Sequence, residues 1–192
     1  MFRHWIESKS NDSELLAKIR FALEKYLEIE EKDPYACFLL SLVFERIKKV
    51  DDAYKWIERA NEYASERVMK YVSKNDHGKL GSSRVLLESI KQNHARILVL
   101  SGKYEGAIEL INGMNDSSQP FYQIMLAVCY MSLMKLDLCI GATNEVIGDP
   151  KSNTEQKDYS WLLHCQCLHT MGNKKAQLES AVSNWQVVVT TI

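Results

Sequence analysis

Ser101-Gly102-Lys103-Tyr104-Glu105-Gly106-Ala107-Ile108-Glu109-Leu110-Ile111 is the stretch on which the reading of this chain turns. A glycine ends a helix cheaply in the left-handed conformation, so Gly102 marks the boundary between two helices. Upstream, His94-Ala95-x-x-Leu98 puts a small residue and an apolar one three positions apart. Downstream, Ala107 and Ile111 share a helix face, being four apart. The unit is a helix carrying a small residue, a short turn, and a second helix with a small residue near its start.

The same unit recurs along the chain. Leu40-Ser41-x-x-Phe44 turns through Lys48-Lys49-Val50-Asp51 into Ala53-x-x-x-Ile57-x-x-Ala60. Leu126-Ala127-x-x-Tyr130 turns near Met134-Lys135-Leu136 and continues from Cys139. Leu163-His164-x-x-Cys167 turns at Gly172-Asn173 and continues from Ala176. Small side chains at crossing points let paired helices approach closely, while Phe44, Leu98 and Tyr130 fill the space between pairs. The first interval, Ala53 to Ala107, is the long one. Its excess falls over Tyr63 to Glu88, where Asn75-Asp76-His77-Gly78-Lys79-Leu80-Gly81-Ser82-Ser83 carries the strongest loop signal. The expectation is an insertion at 63–83, with an extended or additional helix over 60–74 and a long first helix over 83–101 starting from a serine cap at Ser83. Breaks at Asp33-Pro34, Asn115 to Pro120 and Gly148-Asp149-Pro150 each set a proline where the next unit opens.

Composition agrees with long helices. The 192 residues include only 3 prolines and 8 glycines, with 46% apolar and 26% charged residues, the balance of a folded globular chain. The formal net charge is −1, without the basic excess that polyphosphate binding favours, so nucleic acid is not the expected partner. No apolar run is long enough for a membrane span, and the first residues lack a signal-peptide core. Five cysteines, an odd number, read as buried thiols of a reducing compartment. The expected setting is cytoplasmic or nuclear, including the nuclear envelope.

These units resemble the tetratricopeptide repeat (TPR), whose pattern is an apolar, a small and an aromatic residue in the first helix and two alanines in the second. The resemblance covers roughly residues 34 to 183. It lacks the family's first-helix tryptophan in the first three units, with Trp161 only near that place, and it departs at Cys139, Ser180 and Ser183. It implies an all-α, TPR-like α-α superhelix of about 3–4 helix pairs in one domain over 1–192. The implied order is a helical cap at 1–33, a repeat at 34–62, the insertion at 63–83, repeats at 84–114 and 120–148, and a degenerate repeat at 155–185. A narrower stretch, Lys25 to Pro34 followed by Leu40 to Glu45, is similar to the amino-terminal repeat regions of large Ran-binding nucleoporins.

The resemblance also implies a concave groove lined by first helices. Positions one after and three before each small residue fall there: Phe38 and Leu42, Gln92 and Arg96 with Asn93 beside it, and Ile124 and Val128. Only Arg96 and Asn93 offer a carboxylate anything like the paired lysine and asparagine clamp that some family members use for acidic termini. The expected occupant is therefore an apolar protein segment with one acidic group meeting Arg96. The alternative for Phe38, Leu42, Ile124 and Val128 is burial under a neighbouring helix.

Chemistry is sparse. His164-Cys165-Gln166-Cys167-Leu168-His169 has metal-ligand residue types, but a helix puts Cys165 and His169 on one face and His164 and Cys167 on another, which one zinc cannot collect. No phosphate loop, zinc-helix motif or nucleophile elbow occurs, so no enzyme, cofactor or metal is expected. Lys70, Lys74, Lys79, Arg84 and Lys91 give the insertion a basic character. The apolar end Trp185 to Ile192 needs cover, which suggests self-association or a longer natural protein. The expected function is a protein-interaction scaffold or adaptor within a larger assembly; the alternative is an RNA-associated or trafficking adaptor of the same fold.

Overall fold

The computed structural model describes residues 13–114 and 116–172, and every regular element among them is a helix. The helices are α1 (Ser13–Ile29), α2 (Pro34–Arg46), α3 (Val50–Ser73), α4 (His77–Leu100), α5 (Tyr104–Asn112), α6 (Pro120–Ser132), α7 (Leu136–Gly148) and α8 (Thr154–Thr170). The fold class is all-α, as the small-residue spacing predicts. The helices divide into two compact units, Met1–Gly102 and Lys103–Ile192. The second helix expected from Ala176, the apolar end Trp185 to Ile192 and the first twelve residues lie outside the described residues.

One local device ends most helices. Lys48 (φ 60°), Asn75 (φ 52°), Gly102 (φ 71°), Met134 (φ 57°) and Gly172 (φ 71°) are left-handed, each just past a helix end. At Lys48 the amide donates to the Glu45 carbonyl and the next amide, Lys49, reaches back to Phe44. Asn75 and Asp76 bond Val72 and Tyr71 in the same way, and Met134 and Lys135 bond Met131 and Tyr130. Each turn thereby satisfies carbonyls that a bare helix end leaves open. Starts are equally local. The Asp33 carboxylate accepts from the Tyr35 and Ala36 amides at 2.8 and 2.9 Å, and Asn153 with Gln156 forms a reciprocal capping box.

In the first unit, α1 packs on α2, α2 on α3, α3 on α4, and α2 also touches α4. Contact between helices two apart is what serial stacking of helix pairs requires. Ser41, Ala53, Ala60 and Ala95 are completely buried, as nesting of close helices demands. Phe38, Leu40, Ile57, Ile90 and Ile97 fill the core around them. The second unit repeats the scheme: α5 on α6, α6 on α7, α7 on α8, and α6 on α8. There Ala107, Ala127 and Cys139 are fully buried small residues in the same way.

Two expectations change at element boundaries. The loop foreseen over 75–83 shrinks to a turn at Lys74 to Asp76, because the Asp76 carboxylate caps α4 by accepting from the Lys79 amide at 3.2 Å. Gly78 and Gly81 cost the helix about 1 kcal/mol each relative to alanine, yet both stand inside it. Ser83 is therefore a buried helix residue and not the cap. The extra residues lengthen α3 and α4 to 24 residues each, a long helical hairpin where a separate segment was expected. Pro34 and Pro120 open their helices, but Pro150 does not; Asn153 caps α8 instead.

Candidate partner-binding faces

Five of the seven groove candidates in the sequence lie on α2 and α4 in the first unit. Phe38 and Leu42 are 1% and 6% exposed, so they are core residues and offer a partner no surface. The burial alternative holds for both, because α2 is enclosed by three helices. Asn93 is also buried; its amide nitrogen donates to the Ser41 hydroxyl at 3.4 Å, which itself donates to the Phe38 carbonyl at 2.7 Å. Gln92 is half-buried.

Arg96 does not await an outside acid. Its guanidinium grips both carboxylate oxygens of Glu45 and donates to Asn93 Oδ1 at 2.6 Å. The two charged side chains are 41% and 17% exposed. The small Ser41 side chain lets α4 lie close enough to α2 for this bidentate pair to form. The contact was missed in the sequence because 51 residues separate its members, and no helix periodicity links them.

In the second unit the candidates keep their surface. Ile124 and Val128 are half-buried on α6, and Phe121 and Met131 extend their stripe at helical spacing with the same partial exposure. Met131 leads into an open cleft of about 410 Å³ lined on α8 by Leu162, Cys165, Gln166, His169 and Thr170. Leu162, Cys165 and His169 recur at the spacing of one helix face, which is the signal that could have found this cleft. The helical strip 164–169 divides between two faces, as its geometry demands. Cys165 and His169 line the cleft, whereas Cys167 is buried with its Sγ 3.7 Å from Met131 Sδ. His164 Nδ1 lies 3.1 Å from the Thr143 hydroxyl, its ring meets Trp161 edge-on, and burial lowers its pKa below 6.5. Among the described residues no three His, Cys, Asp or Glu side chains converge as a metal site. The thiols of Cys37 and Cys129 are pushed up to about 11, chiefly by burial, which makes them poor nucleophiles.

The long hairpin is basic at its turn. Lys70, Lys74 and Arg84 are exposed, while Lys79 pairs with Asp76 at 3.8 Å and sits over the Tyr71 ring. Lower down, Arg67 and Lys32 tie α3 to the α1–α2 turn through Asp33 (3.6 Å) and Glu66 (3.8 Å). Among the described residues no helix is long and apolar enough to cross a membrane.

No family model matches this sequence. Over 96 residues, 50% of the chain, it is 35% identical to a TPR repeat-containing protein of Methanocaldococcus jannaschii. The matched stretch is 25% of that protein, so the chain covers about a quarter of the relative's length. Sequence likeness and serial helix packing together support a TPR-like helical repeat.

Proposed function

We propose that this chain, a TPR-like helical-repeat protein, is a non-catalytic interaction module that takes a partner segment along the α6–α8 face of its second unit. The carrying observation is the half-buried apolar stripe Phe121, Ile124 and Val128 that runs into the cleft at Met131, Leu162 and Cys165. A partly covered apolar stripe gains by burial against a partner at roughly 25 cal/mol per Å², and a groove between helices suits an apolar helical or extended segment. Gln92 and Arg96 stay in the reading as the polar rim of the first unit, with Arg96 serving Glu45 first. A scaffold or adaptor role in a larger assembly, a single helical-repeat domain over 1–192 and a cytoplasmic or nuclear setting belong to the same proposal.

The test compares two faces of one unit. Val128→Lys and Ile124→Lys alter the stripe, and Leu138→Lys alters α7, where Leu138 is 52% exposed. The expected result is that proteins co-purifying with the wild-type chain are lost from the stripe variants and kept by Leu138→Lys. Equal recovery by all three, with native circular dichroism, overturns the α6–α8 assignment. The exposed cations Lys70, Lys74 and Arg84 favour the second reading, an RNA-associated or trafficking adaptor. Retention of RNA that falls steeply with salt and disappears in a Lys70→Glu, Lys74→Glu, Arg84→Glu variant would establish it.

A further inference from the structure

Three sulfurs from three different helices meet inside the second unit. The Cys139 thiol on α7 adjoins that of Cys167 on α8, and Cys167 Sγ lies 3.7 Å from Met131 Sδ on α6. Both cysteines are completely buried. Met131 reaches from this cluster to the wall of the open cleft, where Cys165 and His169 stand. The cluster therefore has a mouth with soft donors at the surface and a dry dithiol behind it.

We infer that Met131, Cys139 and Cys167 form a binding site for one monovalent soft metal ion, with the chemistry of Cu(I). Thiolate and thioether donors select Cu(I) over harder ions. Bonds of about 2.3 Å, the length of a zinc–thiolate bond, put two sulfurs of a shared trigonal shell about 4 Å apart. The Cys167–Met131 separation is close to that already, so the shell forms with little movement of the helices. Coordination number also points to Cu(I), whose trigonal shell three sulfurs complete, both thiols losing their protons to solvent as the ion binds. Zinc would need a fourth donor, and no three His, Cys, Asp or Glu side chains converge there. The entry route follows the donors, from Cys165 and His169 in the cleft to Met131 and then to the thiols.

The site goes beyond the interaction reading and does not depend on it. The test uses the full reduced chain under anaerobic conditions, with cuprous ion supplied as its acetonitrile complex and bicinchoninate as competitor. One Cu(I) retained per chain is the expected result, with an X-ray absorption spectrum showing sulfur donors only. Cys139→Ser and Cys167→Ser abolish retention, Met131→Leu weakens it, and Cys37→Ser keeps it. Circular dichroism of each variant checks folding, and the wild-type spectrum decides the matter should a serine variant unfold. A folded wild-type chain that holds no copper overturns the site. So does retention that survives the double Cys139→Ser, Cys167→Ser variant, or a spectrum with nitrogen donors, which would place the ion at Cys165 and His169.

Discussion

The two units follow one helix-pair plan and use it in opposite ways. In the first, α2 and α4 close on each other through Ser41, Asn93, Arg96 and Glu45, and the core beneath is aliphatic and aromatic apart from Cys37. In the second, α6 and α8 also touch, yet the α6 stripe stays half exposed, and sulfur-bearing residues (Met114, Met125, Cys129, Cys139, Cys167) take much of the interior. The spacing of small residues determines that helices stack; it does not decide whether the face between first helices is sealed. That depends on long-range polar partners, which the first unit has.

The contrast can be broken most severely in the sealed core. Phe38→Ala should destabilise the first unit by about 3–5 kcal/mol, from lost transfer energy and the cavity left behind. Ile124→Ala, at the corresponding place in the second unit, should cost less than about 2 kcal/mol because the side chain is half exposed already. Urea unfolding of both variants measures the difference, and equal losses would mean that the stripe is core as well. The polar seal is the next test. Arg96→Met leaves the Glu45 carboxylate without its partner, and a double-mutant cycle with Glu45→Gln should give a coupling of about 1 kcal/mol. The value is well below that of a fully buried pair, since Arg96 is 41% exposed.

A pH titration sharpens the comparison from the other side. His164 has a folded pKa below its ordinary 6.5 because burial disfavours the imidazolium. The unfolded chain therefore binds the proton more readily, so the histidine's contribution is fully present above pH 6.5 and is lost as pH falls from there through the folded pKa. Acidification below about 6.5 should weaken the second unit, and His164→Gln should flatten that slope. The smallest effect is expected at the turns. Met134→Gly and Lys48→Gly relieve left-handed strain of about 1–2 kcal/mol against the greater freedom of unfolded glycine, about 0.4–1 kcal/mol. A net gain of about 0.5–1 kcal/mol in thermal or urea unfolding is expected for each.

Those turns also show what was readable in the sequence. Gly102 and Gly172 announced the left-handed conformation, whereas Lys48, Asn75 and Met134 adopt it without a glycine, forced by the helices on either side. Ser41, Ala53, Ala95, Ala107, Ala127 and Cys139 were legible as crossing points because burial of a small side chain follows helical period. The Gly- and Ser-rich run at 77–83 misled in the opposite direction: tertiary packing along α3 outweighs its poor helix propensity. For the candidate site, the sequence placed Ile124 and Val128 on a usable face but could not separate them from Phe38 and Leu42, which occupy equivalent positions. Enclosure by α1, α3 and α4 is a property of neighbours distant in sequence, as is the Glu45 carboxylate that occupies Arg96.

The central claim is that fully buried small residues exist so that paired helices can nest. Urea unfolding of Ala53→Leu against Ala22→Leu tests it most directly, since Ala22 is exposed on α1 and Ala53 is completely buried at the start of α3. Added volume at Ala53 should cost about 1–3 kcal/mol by forcing α2 and α3 apart, while Ala22→Leu should leave stability unchanged within about 0.5 kcal/mol. An Ala53→Leu protein as stable as the wild type would contradict the nesting account.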